Sequence, residues 1–256
     1  MPVVKLVLAY DGSVFRGFAR QPRTLTVQGV LEEVLERMLG EIPKLSVAGR
    51  TDAGVHAQGQ VVSFETEADP ERIQRSVNRL LAPKVVVREA AWARKGFDAR
   101  HSATAREYRY RIRTSTWPDP FSARFEWHHP GPLALGPMRR AARLLEGEHD
   151  FASFCRPPQG STVRHLRRLS VRREGDLVEV RALADAFLHQ MVRSLVGTLV
   201  AVGTGRIEPE TMPEVLEQHD RAAAGAVAPP DGLTLLRVRY GPHPQGPGRS
   251  RVSGER

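Results

Sequence analysis

The segment GRTDAGVHAQGQ, residues 49–60, concentrates polar side chains between glycines. An aspartate beside glycine, such as Asp52, is commonly a turn residue whose carboxylate accepts backbone hydrogen bonds. The alternative is a functional loop, because glycine lets a backbone approach a ligand closely. A carboxylate in such a loop can act as a nucleophile that bonds covalently and leaves again. The crowding of polar groups favours the functional loop, and the neighbouring residues are Arg50, Thr51, His56, Gln58 and Gln60.

An arginine interrupts the most apolar segment of the chain. A helix is predicted over residues 186–202, and its apolar side chains leave almost no polar face around Arg193. Either this guanidinium extends to solvent, or it is buried and needs an anionic partner. A carboxylate that stays ionised where water is excluded needs a nearby cation, so the sequence predicts that Arg193 pairs with Asp52. On this helix Arg193 would share a face with His189 and Gly197, and Gly197 would admit the loop of Asp52.

Alternating and amphipathic patterns predict the elements that hold these side chains. The loop of Asp52 joins short strands at about 44–48 and 59–66. Further strands are predicted at about 3–10, 84–92, 106–113, 166–173, 176–183 and 233–240. The predicted helices lie at about 27–39, 70–81, 137–146 and 186–202. Both halves mix antiparallel-style strands with helices, which favours an α+β fold with helices packed on one side of the sheet.

Composition restricts the class of protein. The 256 residues are 41% hydrophobic, enough for a substantial core, and no apolar run approaches the roughly 18 residues of a membrane-spanning helix. The single cysteine excludes an intramolecular disulfide, so a soluble cytoplasmic protein is expected. The net charge of +9 favours a polyanionic partner, with nucleic acid the first candidate. Because only four of the 38 basic residues are lysines, an arginine-rich genome composition is the alternative source of this charge.

Six blocks, in order along residues 3–240, resemble the TruA-type tRNA pseudouridine synthases. The segment GRTDAGVHA resembles the active-site signature of that family, and GQVV follows it as the family pattern requires. Phe18 stands where the family often has tryptophan, which keeps an aromatic ring at that position. The other blocks are YDGS at 10–13 with Phe15, Gly17, Arg20 and Gln21, TVQ at 26–28, FDAR at 97–100 with REYRY at 106–110, GEHDF at 147–151, and FLHQMVR at 187–193.

The resemblance implies an enzyme that isomerises uridine to pseudouridine at positions 38, 39 and 40 of tRNA, in the anticodon stem-loop. It implies no metal, no organic cofactor and no membrane, and a homodimer in which one tRNA contacts both subunits. Two related halves, 1–104 and 105–241, would share a continuous antiparallel sheet with the active-site cleft between them. Asp52 would be the nucleophile. The residues expected to bind substrate are Tyr108, Arg50, Thr51, His56 and Arg193.

Residues 242–256 consist largely of Pro, Gly, Ser and Arg, and are predicted to form a disordered tail. Tyr108 is either a stacking platform that also helps to move a proton, or an ordinary strand aromatic.

Two rival functions remain open from the sequence. A non-catalytic RNA-binding protein would not need Asp52, and a nucleoside hydrolase would usually carry a second acid nearby.

The sequence also leaves open the chemical step and the roles of several side chains. Asp52 could attack C1′, attack C6 of the base, or assist elimination to a glycal. His149 and His189 fit structural or RNA-contact roles better than the role of a base. The basic cluster fits either a solvated strand face or an RNA groove, and its members are Arg164, His165, Arg167, Arg168, Arg172 and Arg173.

Overall fold

The strands predicted from alternating apolar residues join into a single sheet. The structure is a computed structural model and describes residues 1–156 and 160–241, so the predicted tail at 242–256 lies outside the described residues. The strand bounds are β1 Val3–Tyr10, β2 Ser46–Val47, β3 His56–Glu65, β4 Val85–Trp92, β5 Ala103–Arg113, β6 Trp127–His128, β7 Gly147–Asp150, β8 Val163–Glu174, β9 Leu177–Ala184 and β10 Leu233–Tyr240. Their order is β4-β1-β3-β10-β5-β9-β8-β7, with β2 beside β3 and β6 beside β5.

The first half of the sheet is built around β1. Its residues alternate between the two faces, and the even-numbered ones are buried. β1 lies between β3 and β4 and is antiparallel to both. The helices of this half are α1 (Val27–Leu39) and α2 (Pro70–Leu81). The side chains of Thr26 and Asp69 accept hydrogen bonds from N–H groups in the first turns of these helices, so each begins where the sequence predicts.

The second half contains the antiparallel ladder of β5, β9, β8 and β7. Its helices are α3 (Leu135–Leu144), α4 (Met191–Gly203) and α5 (Met212–Glu217). Helix α3 packs against α4 and β8. Arg193 is the only residue of α4 that is not buried. The helix is therefore apolar in the way predicted, and its single charged side chain lies at its first turn.

The two halves meet where β3 pairs with β10. This pairing is parallel and joins His56 and Ala57 to Thr234 and Leu235. β5 and β6 also pair in parallel, so the continuous sheet is confirmed but is not antiparallel throughout. β5 begins at Ala103, inside the predicted first half, and the division at residue 104 stays a prediction. One apolar core extends across both halves, and among the described residues no helix has the length and apolarity to cross a membrane.

Helix α4 begins later than the sequence predicts. Gln190 has φ of +64°, a left-handed conformation that a right-handed helix cannot include. Residues 186–190 therefore form an irregular segment that leads into the helix. This segment places Phe187, Leu188 and His189 in the lining of the space between the halves.

Candidate active site

A cleft of about 2060 Å³ opens between the two halves. It is lined by the loop 48–55 between β2 and β3, by the segment 186–190, by the first turn of α4 and by β5. Asp52 lies among these elements. The lining of the cleft contains more basic than acidic side chains, and this charge suits a ligand that carries phosphates. The basic residues lining the cleft are Arg16, Arg23, Lys44, Arg50, Arg100, Arg106, Arg164 and Arg193.

The turn that follows β1 holds the loop of Asp52 in place. The Phe18 N–H donates a hydrogen bond to the Thr51 carbonyl oxygen at 3.0 Å. Gly12 packs so closely on the Val55 carbonyl that a Cβ at this position would overlap it. Only glycine permits this approach. The YDGS block and the GRTDAG block are thus two parts of one packed unit, which explains why both occur in the chain.

Asp52 uses both carboxylate oxygens. Arg193 Nη1 donates to Asp52 Oδ2 at 3.2 Å, and Arg193 Nε donates to the Ala228 carbonyl oxygen at 2.7 Å. His189 Nε2 lies 3.3 Å from Asp52 Oδ1. The predicted contact between Arg193 and Asp52 is therefore confirmed. The Arg193 side chain is 15% exposed and that of Asp52 is 24% exposed, so the pair lies at the base of the cleft but remains open to a ligand.

Two details of the prediction around Arg193 were wrong. His189 precedes α4, so it does not share a helical face with Arg193 and reaches Asp52 from the irregular segment instead. Gly197 does not receive the loop of Asp52. A Cβ at Gly197 would overlap the Ala226 carbonyl oxygen, so the segment that approaches α4 there is the one leading to β10. Apolar periodicity could not distinguish either arrangement.

Tyr108 forms one wall of the cleft beside Asp52. The ring is 7% exposed and contacts Phe187 edge to face, with centroids 5.1 Å apart. Burial raises the pKa of the Tyr108 phenol above its ordinary value, and the neighbouring Tyr10 and Asp52 raise it further. The phenol therefore stays protonated near neutral pH. It can donate a hydrogen bond, but it is poorly suited to removing a proton.

A buried polar network beneath the loop escaped the sequence analysis. Tyr10 hydrogen-bonds through its hydroxyl to Thr51 Oγ1 at 2.8 Å, and Gln60 Nε2 donates to the Gly49 carbonyl oxygen at 2.6 Å. Burial raises the pKa of Tyr10 to about 12, although its hydrogen bonds to Thr51 and Gln60 partly offset that effect. Tyr10 and Gln60 belong to the resembling blocks, but only the fold reveals that they support the backbone around Asp52.

The other residues predicted to bind substrate occupy different positions relative to the cleft. Arg50 is exposed and lines the cleft, while Thr51 lines it but is buried. His56 lies in β3 outside the cleft, where its Nδ1 accepts from the Gly12 N–H and its Nε2 donates to the Arg124 carbonyl oxygen. Burial lowers the pKa of His56, although Asp11, whose Oδ1 lies 3.2 Å from Nδ1, opposes this shift. We therefore assign His56 a structural position in place of the predicted substrate contact.

The other basic residues considered in the sequence analysis also differ in whether they line the cleft. His149 donates through Nε2 to the Glu146 carbonyl oxygen and packs on Phe151, away from the cleft. In the cluster that begins at Arg164, only Arg164 lines the cleft. Arg167 donates to the Thr104 carbonyl oxygen instead. No group of three or more His, Cys, Asp and Glu side chains is arranged to hold a metal ion within the part of the chain that the structure describes.

The chain matches known proteins over most of its length. The model of the tRNA pseudouridine synthase family matches residues 6–100 and 141–241. A Moorella thermoacetica protein named tRNA pseudouridine synthase A is 44% identical over 248 residues, which cover 94% of this chain and 100% of that protein. A Frankia casuarinae protein of the same name is 46% identical, covering 98% and 93%. A crystal structure of a Cbf5-Nop10-Gar1 complex aligns at 16% identity and a TM-score of 0.38, over 91% of this chain and 48% of that chain, a likeness too low to bear on function. The chain belongs to the tRNA pseudouridine synthase family.

Proposed function

We propose that this tRNA pseudouridine synthase acts on uridines 38, 39 and 40 of the anticodon stem-loop, with Asp52 as its nucleophile. The observation that carries the proposal is the position of the Asp52 carboxylate, which lines a cleft rich in basic side chains and is held on one oxygen by Arg193. Oδ1 is contacted by His189, whose side chain is 51% exposed. Because Arg193 holds Oδ2, Oδ1 is the oxygen proposed to meet the substrate.

The reaction requires a shift of one bond and one proton. The N1–C1′ glycosidic bond breaks and a C5–C1′ bond forms, while C5 loses a proton and N1 gains one, so the product is an isomer of the substrate. A carboxylate divides this change into two easier steps by bonding covalently and then leaving. Attack at C1′, attack at C6 and assistance to a glycal all use Asp52 in the same place.

The target uridine has to leave its stack before Asp52 can reach it. Tyr108 supplies a buried aromatic wall on which an extruded base can stack. Arg50 and Arg164 line the cleft and offer guanidinium groups to the phosphates beside that base. Stacking and phosphate contacts together would hold the nucleotide over Asp52. The homodimer remains a prediction that rests on the family resemblance, and the cytoplasmic location one that rests on the single cysteine.

The position of modification can be mapped directly. Incubation with tRNA transcripts is expected to convert uridines 38, 39 and 40, and tritium at C5 of uracil should be released with the chain left intact. Transcripts with cytidine at all three positions are the control and should release no tritium. Conversion confined to other positions would contradict the proposed substrate, and an abasic product would indicate a hydrolase.

Replacing Tyr108 tests the stacking platform. Tyr108→Ala is expected to lower single-turnover rates by about fivefold to 150-fold, since stacking of a base is worth about 1–3 kcal/mol. Tyr108→Phe keeps the ring, so any loss in that variant reports the hydroxyl alone. Tyr110→Phe is the control, because its hydroxyl donates to Pro229 outside the cleft. If the Tyr108→Ala enzyme reacts at the wild-type rate, Tyr108 is only a strand residue.

A further inference from the structure

Arg106 lies on β5, two residues before Tyr108, and lines the cleft. All five of its N–H groups donate to backbone carbonyl oxygens. Nε donates to the Ala48 carbonyl oxygen at 3.1 Å. Nη1 donates to those of Asp185 at 2.7 Å and Ala103 at 3.4 Å. Nη2 donates to those of Ala48 at 2.7 Å and Arg100 at 3.1 Å.

These carbonyls belong to separate segments that line the cleft. Ala48 begins the loop 48–55 and lies four residues before Asp52. Asp185 precedes the irregular segment 186–190 and lies four residues before His189. A single guanidinium thus joins the backbone that carries Asp52 to the backbone that carries its partner His189. We refer to this set of hydrogen bonds as the Arg106 clamp.

The chemistry of the clamp fits arginine alone. Among the described residues no carboxylate lies within ion-pair distance of Arg106, so its partners are dipoles rather than charges. Every N–H is already engaged, which leaves none to donate to a phosphate. A lysine has three donors on one atom and cannot reach the separate carbonyls that the three guanidinium nitrogens contact.

We propose that Arg106 is a positioning residue, which sets the distance between the loop of Asp52 and the segment of His189. The proposal rests on the proposed role of Asp52. A misplacement of about 1 Å at a reacting group can cost about a hundredfold in rate, so loosening both backbones slows the chemical step more than it weakens tRNA binding. Two other roles make different predictions. A phosphate contact would weaken binding, and a purely structural residue would lower the stability of the whole protein.

Steady-state kinetics of Arg106→Lys and Arg106→Gln separate these roles. We expect kcat to fall about tenfold or more, with lysine less affected than glutamine, and KM to stay within about twofold. The dependence of tRNA binding on salt should keep its wild-type slope, because a lost phosphate contact would reduce that slope by about one. Arg139→Lys is the matched control, since Arg139 Nε donates to the Val171 carbonyl oxygen at 3.0 Å outside the cleft.

Hydrogen exchange gives a readout that does not depend on the identity of the nucleophile. In Arg106→Lys, amides of residues 49–54 and 186–189 should exchange faster, while those of α1 and α3 keep wild-type protection. The inference is overturned if exchange in the two segments is unchanged, if the salt slope falls by about one, or if turnover matches that of Arg139→Lys. An active Asp52 variant would refute the nucleophile while leaving the exchange test of the clamp intact.

Discussion

Replacing Asp52 with asparagine is expected to slow pseudouridine formation by about a thousandfold or more, since loss of a covalent nucleophile commonly costs at least that much. Asparagine has nearly the same shape and still accepts a hydrogen bond from Arg193, which lies 3.2 Å from Oδ2 in the wild-type protein. It cannot form and release a covalent adduct in the same way. Single-turnover release of tritium from tRNA measures this loss without interference from product release.

The affinity for tRNA should be nearly unchanged in Asp52→Asn, because the groups proposed to bind the RNA are still present. Asp150→Asn is a suitable control. Its carboxylate accepts a hydrogen bond from the Ala152 N–H, outside the cleft, and its loss should leave turnover at the wild-type value. A rate for Asp52→Asn above about a thousandth of wild type would remove Asp52 from the role of nucleophile.

Loss of Arg193 is expected to damage both rate and stability. In Arg193→Ala the hydrogen bonds to Asp52 and to the Ala228 carbonyl oxygen disappear together. Fully buried ion pairs cost about 3–5 kcal/mol when one partner is removed. Because the Asp52 side chain is 24% exposed, water compensates in part, and we expect a loss of about 1–3 kcal/mol. Turnover should fall about a hundredfold as the carboxylate loses its fixed direction.

Thermal unfolding and a double-mutant cycle check this result. Arg193→Lys keeps the charge but cannot reach Asp52 and Ala228 with two separate nitrogens, so it should recover only part of the rate. In an Asp52→Asn background, the stability cost of Arg193→Ala should shrink by about 0.5 kcal/mol or more. Equal costs in both backgrounds would show that the two side chains do not stabilise one another. Arg140→Ala, which breaks an exposed pair with Glu210, should be nearly neutral.

The pair of Asp52 and Arg193 could be predicted from sequence because neither charged side chain is favourable in its local surroundings without an oppositely charged partner. An arginine in a helix otherwise buried needs an anion, and a carboxylate in a water-poor loop needs a cation. Two such requirements in one chain indicate a contact across 141 positions. The strands other than β6 and β7, and the first two helices, were predictable for a different reason, because buried side chains recur with the period of a strand or a helix and so appear in the pattern of apolar residues. The short strands β6 and β7 have no such pattern and were missed.

Other features depend on backbone conformation and do not change the pattern of apolar residues in the sequence. Phe187 and Leu188 are apolar in a helix or in an irregular segment alike, so the sequence could not show that Gln190 is left-handed and that α4 begins after it. His56 occurs in the signature near Asp52, yet it lies in β3 and is not among the residues that line the cleft. In the sequence, Arg106 of REYRY resembles any basic strand residue, and only the structure shows the backbone carbonyls to which it donates.

The last strand of the described residues lies in the middle of the sheet. Because β10 separates β3 from β5, both halves keep an unpaired edge until residues 233–240 have been synthesised, and such edges are where chains pair wrongly. At about 5–20 residues per second, translation leaves the first half in that state for on the order of ten seconds. A prematurely terminated chain thus retains two open edges and an incomplete cleft.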